Sequence, residues 1–244
     1  MNTSVQDTFT RLQQEIFRMQ GGKPNTDVSA GRVALGPVLE AFPDQRFPTA
    51  AVHECVTTSP ASTAATTGFI AGVLGCLMKN NGPCIWISPD KILFPPGFSS
   101  FGLSPERLLL VNAKNKQDLA WTMETCLQMN SIAAVVCELP DLDFTISRRL
   151  QLAVEKSGVT GFVLRTNRNL HPTVCVSRWL VTPAASHHPK KLPGVTHPCW
   201  NINLLKVRGG RTGTWQLVWM DGHFQTVPSA MPAIAVQEQL RKIS

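Results

Sequence analysis

The chain has 244 residues, 43% of them hydrophobic and 16% charged, so it carries enough apolar side chains for one large globular domain with a core. We expect no apolar run to cross a bilayer and no signal peptide at the N-terminus, which predicts a cytoplasmic protein without a membrane partner. The seven cysteines include no CxxC pair, and five of them fall inside apolar segments, which argues against a disulfide framework and a closed zinc site.

The net charge is +7, and the basic surplus lies in the second part of the chain. Residues 148–244 contain 13 Lys and Arg against 3 Asp and Glu, whereas residues 1–147 contain 10 against 13. This distribution favours an anionic partner, for which nucleic acid is the first candidate. A basic face that contacts only solvent explains the charge alone equally well, so both readings stay open here.

The first predicted element is an amphipathic helix over residues 7–20. Phe9, Leu12, Ile16 and Met19 fall on one face of this helix. Two glycines at residues 21 and 22 then end it and begin a linker. Such a helix packs on its own domain or reaches a neighbouring molecule, and packing on its own domain is the ordinary case.

Residues 51–80 predict a strand, a turn and a long helix, and the rest of the chain is organised around them. Residues 51–57 are a short apolar run, residues 57–62 are rich in hydroxyls, and residues 63–79 are apolar almost all round, as in a helix buried against a sheet. In nucleotide-binding α/β proteins, this is where a glycine-rich loop and a lysine hold phosphate. No residue from Thr57 to Thr67 is Gly, Lys or Arg. We therefore expect no ATP hydrolysis here, and a plain core strand and helix is the alternative.

The middle of the chain alternates strands and helices. Strands are predicted at residues 84–88, 108–112, 132–139, 160–165 and 178–183, and helices at residues 116–129 and 143–157. This alternation predicts a mostly parallel sheet with helices on both faces.

Two details of this segment bear on chemistry and boundaries. Asp143 is the expected N-cap of the second helix and Gly158 its C-terminal stop. Cys137 and Glu138 stand where an ATPase of this architecture carries a magnesium-binding aspartate, and we interpret Glu138 as a strand-end charge.

The last segment begins with a loop over residues 186–198. Its histidines, His187, His188 and His197, match no closed zinc pattern with Cys199, so no metal is expected. Residues 200–224 then predict a β-hairpin with its turn at residues 209–213, and a short helix is predicted at residues 236–243.

Cations and tryptophans alternate along the predicted hairpin. Lys206, Arg208 and Arg211 stand beside Trp215 and Trp219, a pattern typical of phosphate contact combined with base stacking. The alternative is that the tryptophans belong to the core, and we expect at least one of them to do so.

Arg148 and Arg149, on the helix over residues 143–157, are the second pair of candidates for DNA contact. Salt bridges on their own helix explain this pair equally well.

Several segments, taken in order, resemble the ImuA family of bacterial error-prone repair. They are the strand with His53 and Glu54, the apolar helix after it, and the stretches GPCIWIS, PPGFSSFGLSPERLLLV, SRRLQLAVEKSGVTGFVLR, SRWLV and W-x-I-x-L-L-K-x-R-G-G-R-x-G-x-W. The resemblance covers nearly the whole chain. It implies a RecA-like α/β fold with an N-terminal helix and a C-terminal β-hairpin extension. The implied division is residues 1–30 for the helix and linker, 31–185 for a core without a working phosphate loop, and 186–244 for the basic hairpin and tail.

The RecA frame implied by this resemblance places the phosphate loop at residues 59–67. Ser59 and Ala64 replace its two glycines, Ala65 replaces its lysine, and only the magnesium-binding hydroxyl is kept, at Thr66. The resemblance therefore supports the RecA-like fold and argues against ATP hydrolysis, and no cofactor is expected.

The resemblance further implies an SOS-linked role in translesion synthesis, at the nucleoid in the cytoplasm. The implied partners are DNA, an ImuB-like polymerase homologue, an error-prone replicative-type polymerase and RecA. Since RecA-type N-terminal helices dock on neighbouring subunits, Phe9, Leu12, Ile16 and Phe17 are expected to contact RecA or a second copy of this chain. Two other functions stay open, a SulA-like cell-division inhibitor that binds FtsZ and a degenerate RecA-like ATPase.

Overall fold

The computed structural model describes residues 33–79, 82–90, 93–166, 171–186 and 197–227. Two compact units make up the chain, residues 1–30 and residues 31–244. The first unit, which contains the predicted N-terminal helix and its Phe9, Leu12, Ile16 and Phe17, lies outside the described residues. The helix predicted at residues 236–243 also lies outside them.

Strands and helices alternate along most of the described chain. In order they are β1 (Val52–Val56), α1 (Pro60–Leu77), β2 (Cys84–Ser88), β3 (Leu108–Asn112), α2 (Lys116–Leu127), β4 (Ala134–Glu138), α3 (Phe144–Ser157), β5 (Thr160–Arg165), β6 (Ser177–Pro183), β7 (Cys199–Val207), β8 (Gly213–Met220) and β9 (His223–Thr226). Short 3₁₀ helices occupy Gly36–Ala41, Pro95–Phe101 and Pro105–Arg107.

The described strands form one nine-stranded sheet in the order β3-β2-β4-β5-β1-β6-β7-β8-β9. The neighbours from β3 to β6 are all parallel, whereas β6–β7, β7–β8 and β8–β9 are antiparallel. Parallel neighbours need long crossovers, and α1, α2 and α3 supply three of them. The predicted α/β class with a mostly parallel sheet is confirmed.

Helices cover both faces of the sheet. On the first face, which we call the α1 face, α1 packs with the 3₁₀ helices around Trp86, Phe162 and Trp179. On the opposite face, the α2–α3 face, α2 and α3 pack on Ile85, Val135 and other alternate strand residues. The central strands are buried on both faces, which explains their lack of a polar and apolar alternation.

Helix α1 is buried along most of its length. It begins at a cap, since the Ser59 side chain accepts a hydrogen bond from the Ser62 N–H at 3.1 Å and Pro60 occupies the first turn. Among the described residues, it is the one helix long and apolar enough to span a membrane, yet 67% of it is buried inside the fold. Its hydropathy therefore fits its place as the core helix of the α1 face.

The C-terminal strands extend the same sheet. Strand β7 pairs antiparallel with β6, and the register shifts at Arg178 and Trp179, which marks a β-bulge. Strands β7 and β8 form the predicted hairpin. A second hairpin joins β8 to β9 through Asp221 and Gly222, whose φ angles of 54° and 74° give the left-handed geometry of a two-residue hairpin turn.

Candidate functional site

The loop between β1 and α1 has a structural role throughout. No residue from Thr57 to Thr67 has a positive φ, so the backbone does not form the cradle that glycines permit in a phosphate loop. The Thr57 N–H donates to the carbonyl of Arg165 at 2.8 Å, and its hydroxyl donates to the same carbonyl at 3.3 Å. The loop is thereby tied to the end of β5.

The hydroxyls of the first turns of α1 are directed at the sheet. Ser62 donates to the carbonyl of Val181 at 2.8 Å, and Thr66 donates to the same carbonyl at 3.5 Å. Thr66 and Ala65 are buried, while Ser59 and Ala64 are exposed. The hydroxyl predicted to correspond to a magnesium ligand therefore binds the backbone of β6.

Glu138, at the end of β4, is half-buried and accepts a hydrogen bond from the Trp86 indole at 2.9 Å. Burial raises the pKa of this carboxyl above its ordinary value, although the Trp86 hydrogen bond opposes the shift. Its neighbour Cys137 is fully buried, and burial raises the pKa of its thiol as well. This arrangement agrees with the interpretation of Glu138 as a strand-end charge with a local partner.

A buried ionic cluster lies on the α2–α3 face, in the middle of the nine-stranded sheet. Glu54 of β1 and Arg165 of β5 have no exposed surface, and their Oε1 and Nη1 atoms are 2.5 Å apart. The other carboxylate oxygen of Glu54 accepts from Arg178 of β6 at 2.8 Å and from the Thr173 hydroxyl at 3.0 Å. One carboxylate thus holds two guanidinium groups from the strands on either side of it.

The cluster continues toward the surface through Asp141. Its Oδ1 lies 3.5 Å from Nη2 of Arg165, and its Oδ2 lies 2.9 Å from Nζ of Lys116. The hydrogen bond from Lys116 is the main reason that the pKa of Asp141 lies below its ordinary value. These contacts join β1, β5 and β6 to the start of α2.

His53 lies beside this cluster but points to the α1 face. Its ring stacks on Phe47 and Phe162, with centroids 4.5 Å and 5.2 Å away. Its nitrogens lie 2.6 Å from the Ser177 hydroxyl and 2.8 Å from the carbonyl oxygen of Pro48. Burial lowers the pKa of His53 from 6.5 to about 4, so the ring is neutral at physiological pH.

Two of the predicted DNA-binding cations hold a loop of this same domain. Lys206 donates to the carbonyl of Thr173, and Arg208 donates to the carbonyl of Val174. Both side chains are half-buried, and burial is the main cause of the lowered pKa of Lys206. Together with Arg178, which donates to the carbonyl of His171 at 2.8 Å, they bind the end of the β5–β6 loop, described over residues 171–176.

Arg211 and Trp215 are separated from this group. Arg211 is exposed at the tip of the β7–β8 hairpin, and its N–H donates to the carbonyl of Ala41 at 2.8 Å, so the tip is tied to the 3₁₀ helix Gly36–Ala41. Trp215 is half-buried and packs against the core of the α1 face, while Lys206 lies on the α2–α3 face beside Arg178. The predicted alternation of cations and tryptophans along the hairpin therefore does not form one continuous surface. DNA contact by these residues stays a prediction.

Arg148 and Arg149 are exposed on α3, close to the same loop. Arg149 pairs with Glu124, with Nε 3.3 Å from Oε1, so one of the two arginines has an intramolecular partner, which lies on α2 and not on their own helix as the alternative expects. The neighbouring Ser147 hydroxyl accepts from the Val174 N–H at 3.1 Å. The β5–β6 loop thus lies between the α3 arginines and the β7 cations, and it brings two of the predicted groups near each other.

Metal ligands do not cluster in the part of the chain that the structure describes, where no three His, Cys, Asp or Glu side chains come together. His187 and His188 lie outside that part.

The Glu54 cluster is the polar site that reasoning from the sequence did not assign. Glu54 is more than a hundred residues from Arg165 and Arg178 along the chain, and the charged residues inside otherwise apolar strands are the one signal of the cluster in the sequence.

Comparison with known proteins gives two kinds of relative. The chain is 33% identical to Protein ImuA from two strains of Caulobacter vibrioides, over 165 residues that cover 63% of this chain and 68% of those proteins. It is 25% identical to the cell division inhibitor SulA of Serratia marcescens, over 97 residues that cover 40% of this chain and 58% of that protein. No protein-family model matches. With one third of the residues identical over two thirds of the Caulobacter proteins, this chain belongs to the ImuA family.

Proposed function

We propose that the chain is a non-catalytic accessory protein of SOS-linked, error-prone translesion DNA synthesis, which binds DNA and partner proteins. Its membership of the ImuA family supports the repair role. The observation that carries the non-catalytic part is the loop from Thr57 to Thr67, which has no lysine, arginine or glycine and whose hydroxyls bond to β5 and β6. A loop of this kind has neither the charge nor the backbone freedom to hold the phosphates of ATP.

The basic second part of the chain supports DNA contact. Arg148 and Arg211 are exposed, while Lys206 and Arg208 are half-buried and bond to carbonyl groups. We assign the exposed arginines to phosphate contact, and we assign the half-buried cations to positioning the β5–β6 loop beside Arg148. Arg149 contributes less, because Glu124 already neutralises it.

Fluorescence anisotropy with single-stranded and duplex DNA, over a salt series and with or without ATP, tests this proposal. We expect salt-sensitive binding that ATP does not change. Replacing Arg208 and Arg211 by alanine, or Arg148 by alanine, is expected to weaken binding to all sequences and to flatten the dependence on salt by about one unit per lost contact. Lys79→Ala, which removes an exposed lysine outside the basic part, is the matched control.

Absence of binding at low salt would contradict the DNA part of the proposal. The positive charge would then serve to bind protein partners. These are an ImuB-like polymerase homologue, an error-prone replicative-type polymerase and RecA. We assign the contact with RecA to the apolar face with Phe9, Leu12, Ile16 and Phe17. An Ile16→Asp variant that folds and still captures every partner in pull-down assays would contradict this assignment.

The similarity to SulA supports a second candidate function, a cell-division inhibitor that binds FtsZ. Overexpression would then cause filamentation, and the purified protein would block FtsZ polymerisation. The basic C-terminal part favours DNA as the target, so we expect FtsZ to polymerise normally in its presence.

A further inference from the structure

Strand β3 lies at one edge of the sheet and is apolar on both faces. It pairs with β2 on one side, and no described strand pairs with its other side. Leu109 and Leu110 are each 50% exposed, although they point to opposite faces of the sheet. An apolar edge strand of this kind is a template for strand addition, and soluble proteins usually protect such edges with charges, proline or a covering segment.

The backbone of β3 shows which groups are offered to an added strand. The Ala113 N–H donates to the carbonyl of Ser88 at 3.2 Å, so the odd-numbered residues of this segment direct their backbone groups at β2. Alternation then directs the N–H and C=O groups of Leu110 and Asn112 and the C=O group of Leu108 to the free edge, while the Leu108 N–H donates to the carbonyl of Pro105. An antiparallel partner strand has to match these three residues.

We propose that β3 is a self-association surface, at which two copies of this chain join their sheets by antiparallel β3–β3 pairing about a two-fold axis at Leu110. In this register Leu110 faces Leu110 of the second copy, and Leu108 faces Asn112, so the outward groups of Leu110, the Asn112 N–H and the Leu108 C=O are paired in about four hydrogen bonds. On the other face, Leu109 lies opposite Val111. Apolar side chains therefore meet at the two-fold axis on one face and at the Leu109–Val111 pairs on the other, and the same patch of each copy forms the isologous interface.

Charges at the two ends of the strand favour the same register. Glu106 precedes β3, Lys114 follows it, and both are exposed. The two-fold axis at Leu110 places Glu106 of each copy near Lys114 of the other, so two opposite-charge pairs flank the apolar centre. A register shifted by two residues either way places Leu110 opposite Leu108 or Asn112 and separates these pairs. The partner that fits the edge is therefore a second copy of β3 itself.

An exposed tryptophan lies next to this edge. Trp121 of α2 is 64% exposed and lines an open depression together with Asn112 and Lys114 at the end of β3. The second copy is expected to cover part of its ring, which extends the interface beyond the two strands.

Sedimentation velocity of the full chain, from about 1 to about 200 µM, measures the association, because an interface of this small size is expected to have a micromolar Kd. Leu110→Lys places two like charges across the axis and is expected to raise the Kd at least about tenfold. Leu152→Lys, at a leucine of α3 that is 47% exposed, is the matched control and is expected to leave the Kd unchanged. A wild-type chain that stays monomeric throughout this range would overturn the proposal and leave the edge to a strand of another protein.

A charge exchange tests the register. Glu106→Lys alone and Lys114→Glu alone are each expected to weaken the dimer, since like charges then face each other, and the double variant is expected to restore it. A double variant as weak as the sum of the two single variants would overturn the proposed register.

Disulfide capture locates the axis. The Cα atoms of a hydrogen-bonded antiparallel pair are about 5.5 Å apart, a distance that a disulfide spans. Leu110→Cys is expected to yield a covalent dimer on mild oxidation, while Leu152→Cys is not. The background is low because all seven native cysteines are buried. Equal cross-linking of the two variants would mean random collision and would contradict the proposal.

Discussion

Glu54 is the residue whose loss should cost the most stability, because its buried carboxylate neutralises two arginines. Glu54→Gln keeps the shape of the side chain but leaves the fully buried Arg165 without its main partner, so we expect the free energy of unfolding to fall by about 3 to 5 kcal/mol. Urea denaturation followed by circular dichroism measures this loss. Glu124→Gln, which breaks the exposed pair with Arg149, is the control, with an expected loss below about 1 kcal/mol.

His53 should make stability depend on pH between about 4 and 6.5. Burial lowers the pKa of the folded state to about 4, while the unfolded chain titrates near 6.5. Between these values the unfolded state binds more protons, so stability is complete above pH 6.5 and is lost as the pH falls toward 4. The expected slope reaches about 1.4 kcal/mol per pH unit and the total loss about 3 kcal/mol.

His53→Gln separates this effect from the titration of other groups. Glutamine retains hydrogen-bonding capacity toward Ser177 and Pro48 but does not titrate, so the variant should lack the acid-dependent loss even if it is less stable at pH 7. The measurement is the difference in unfolding free energy between wild type and variant as a function of pH. A difference that stays constant from pH 7 to pH 4 would contradict the assigned pKa.

The sequence does not predict the partners of these residues. Glu54 and His53 are adjacent in β1, but their side chains point to opposite faces and, apart from the contact of His53 with Pro48, bond to residues 111 to 124 positions away. Only the strand order brings β5 and β6 to the two sides of β1. The local sequence pattern therefore identifies β1 as a buried strand, but it does not show which residues pair with the polar side chains of that strand.

At the scale of elements, substitution by alanine is expected to have opposite effects on stability at two glycines of α1. A Cβ at Gly75 would overlap the backbone carbonyl of Phe101, so Gly75→Ala is expected to destabilise the protein by about 1 to 3 kcal/mol. At Gly68, the nearest atoms are 3.4 Å and 3.5 Å away, on Trp200 and Phe101, so the helix propensity of alanine should dominate and give a gain of up to about 1 kcal/mol. Thermal unfolding of both variants provides the comparison. A Tm that rises in Gly75→Ala would contradict the close approach at Gly75, and a Tm that falls in Gly68→Ala would contradict the expected gain at Gly68.

Elements with strong local signals are predictable here. Three strands, β2, β3 and β5, have the predicted bounds, and α3 begins after its predicted Asp143 cap and ends at Gly158 in left-handed geometry. The 3₁₀ helices Gly36–Ala41 and Pro95–Phe101 lie in segments for which the sequence predicts no helix or strand, since their prolines and glycines give no periodicity. Strand β9 was missed, although the Asp221-Gly222 turn before it is a strong hairpin signal.

At the scale of the whole molecule, the proposal that residues 57–67 do not bind phosphate predicts no response of stability to nucleotide. Millimolar Mg-ATP should leave the Tm unchanged, because a ligand that does not bind the folded state cannot stabilise it. A site filled to a hundred times its Kd would add about 2.7 kcal/mol. Differential scanning fluorimetry measures this, with RecA as a positive control. A Tm that rises with ATP concentration would contradict the reading of residues 57–67.

The class of the fold follows from the alternation of strands and helices, but the order of the strands does not. An apolar run such as that of β4 indicates a strand buried on both faces, but it does not indicate which strands pair with it. The same limit applies to the candidate DNA surface. Charge counts identify the basic part of the chain, whereas the bonds of Lys206 and Arg208 to the β5–β6 loop depend on the bulged pairing of β6 with β7.

The seven buried thiols allow local opening of the protein to be measured by chemical labelling. Cys55, Cys76 and Cys84 lie in the α1 face, while Cys126, Cys137 and Cys175 lie in the α2–α3 face. A thiol reagent reaches each of them only after the surrounding packing separates, so labelling rates resolved by mass spectrometry measure the opening free energy of each layer separately. Equal rates in both layers would describe one cooperative unit, and faster labelling in one layer would identify the part of the sheet that opens first.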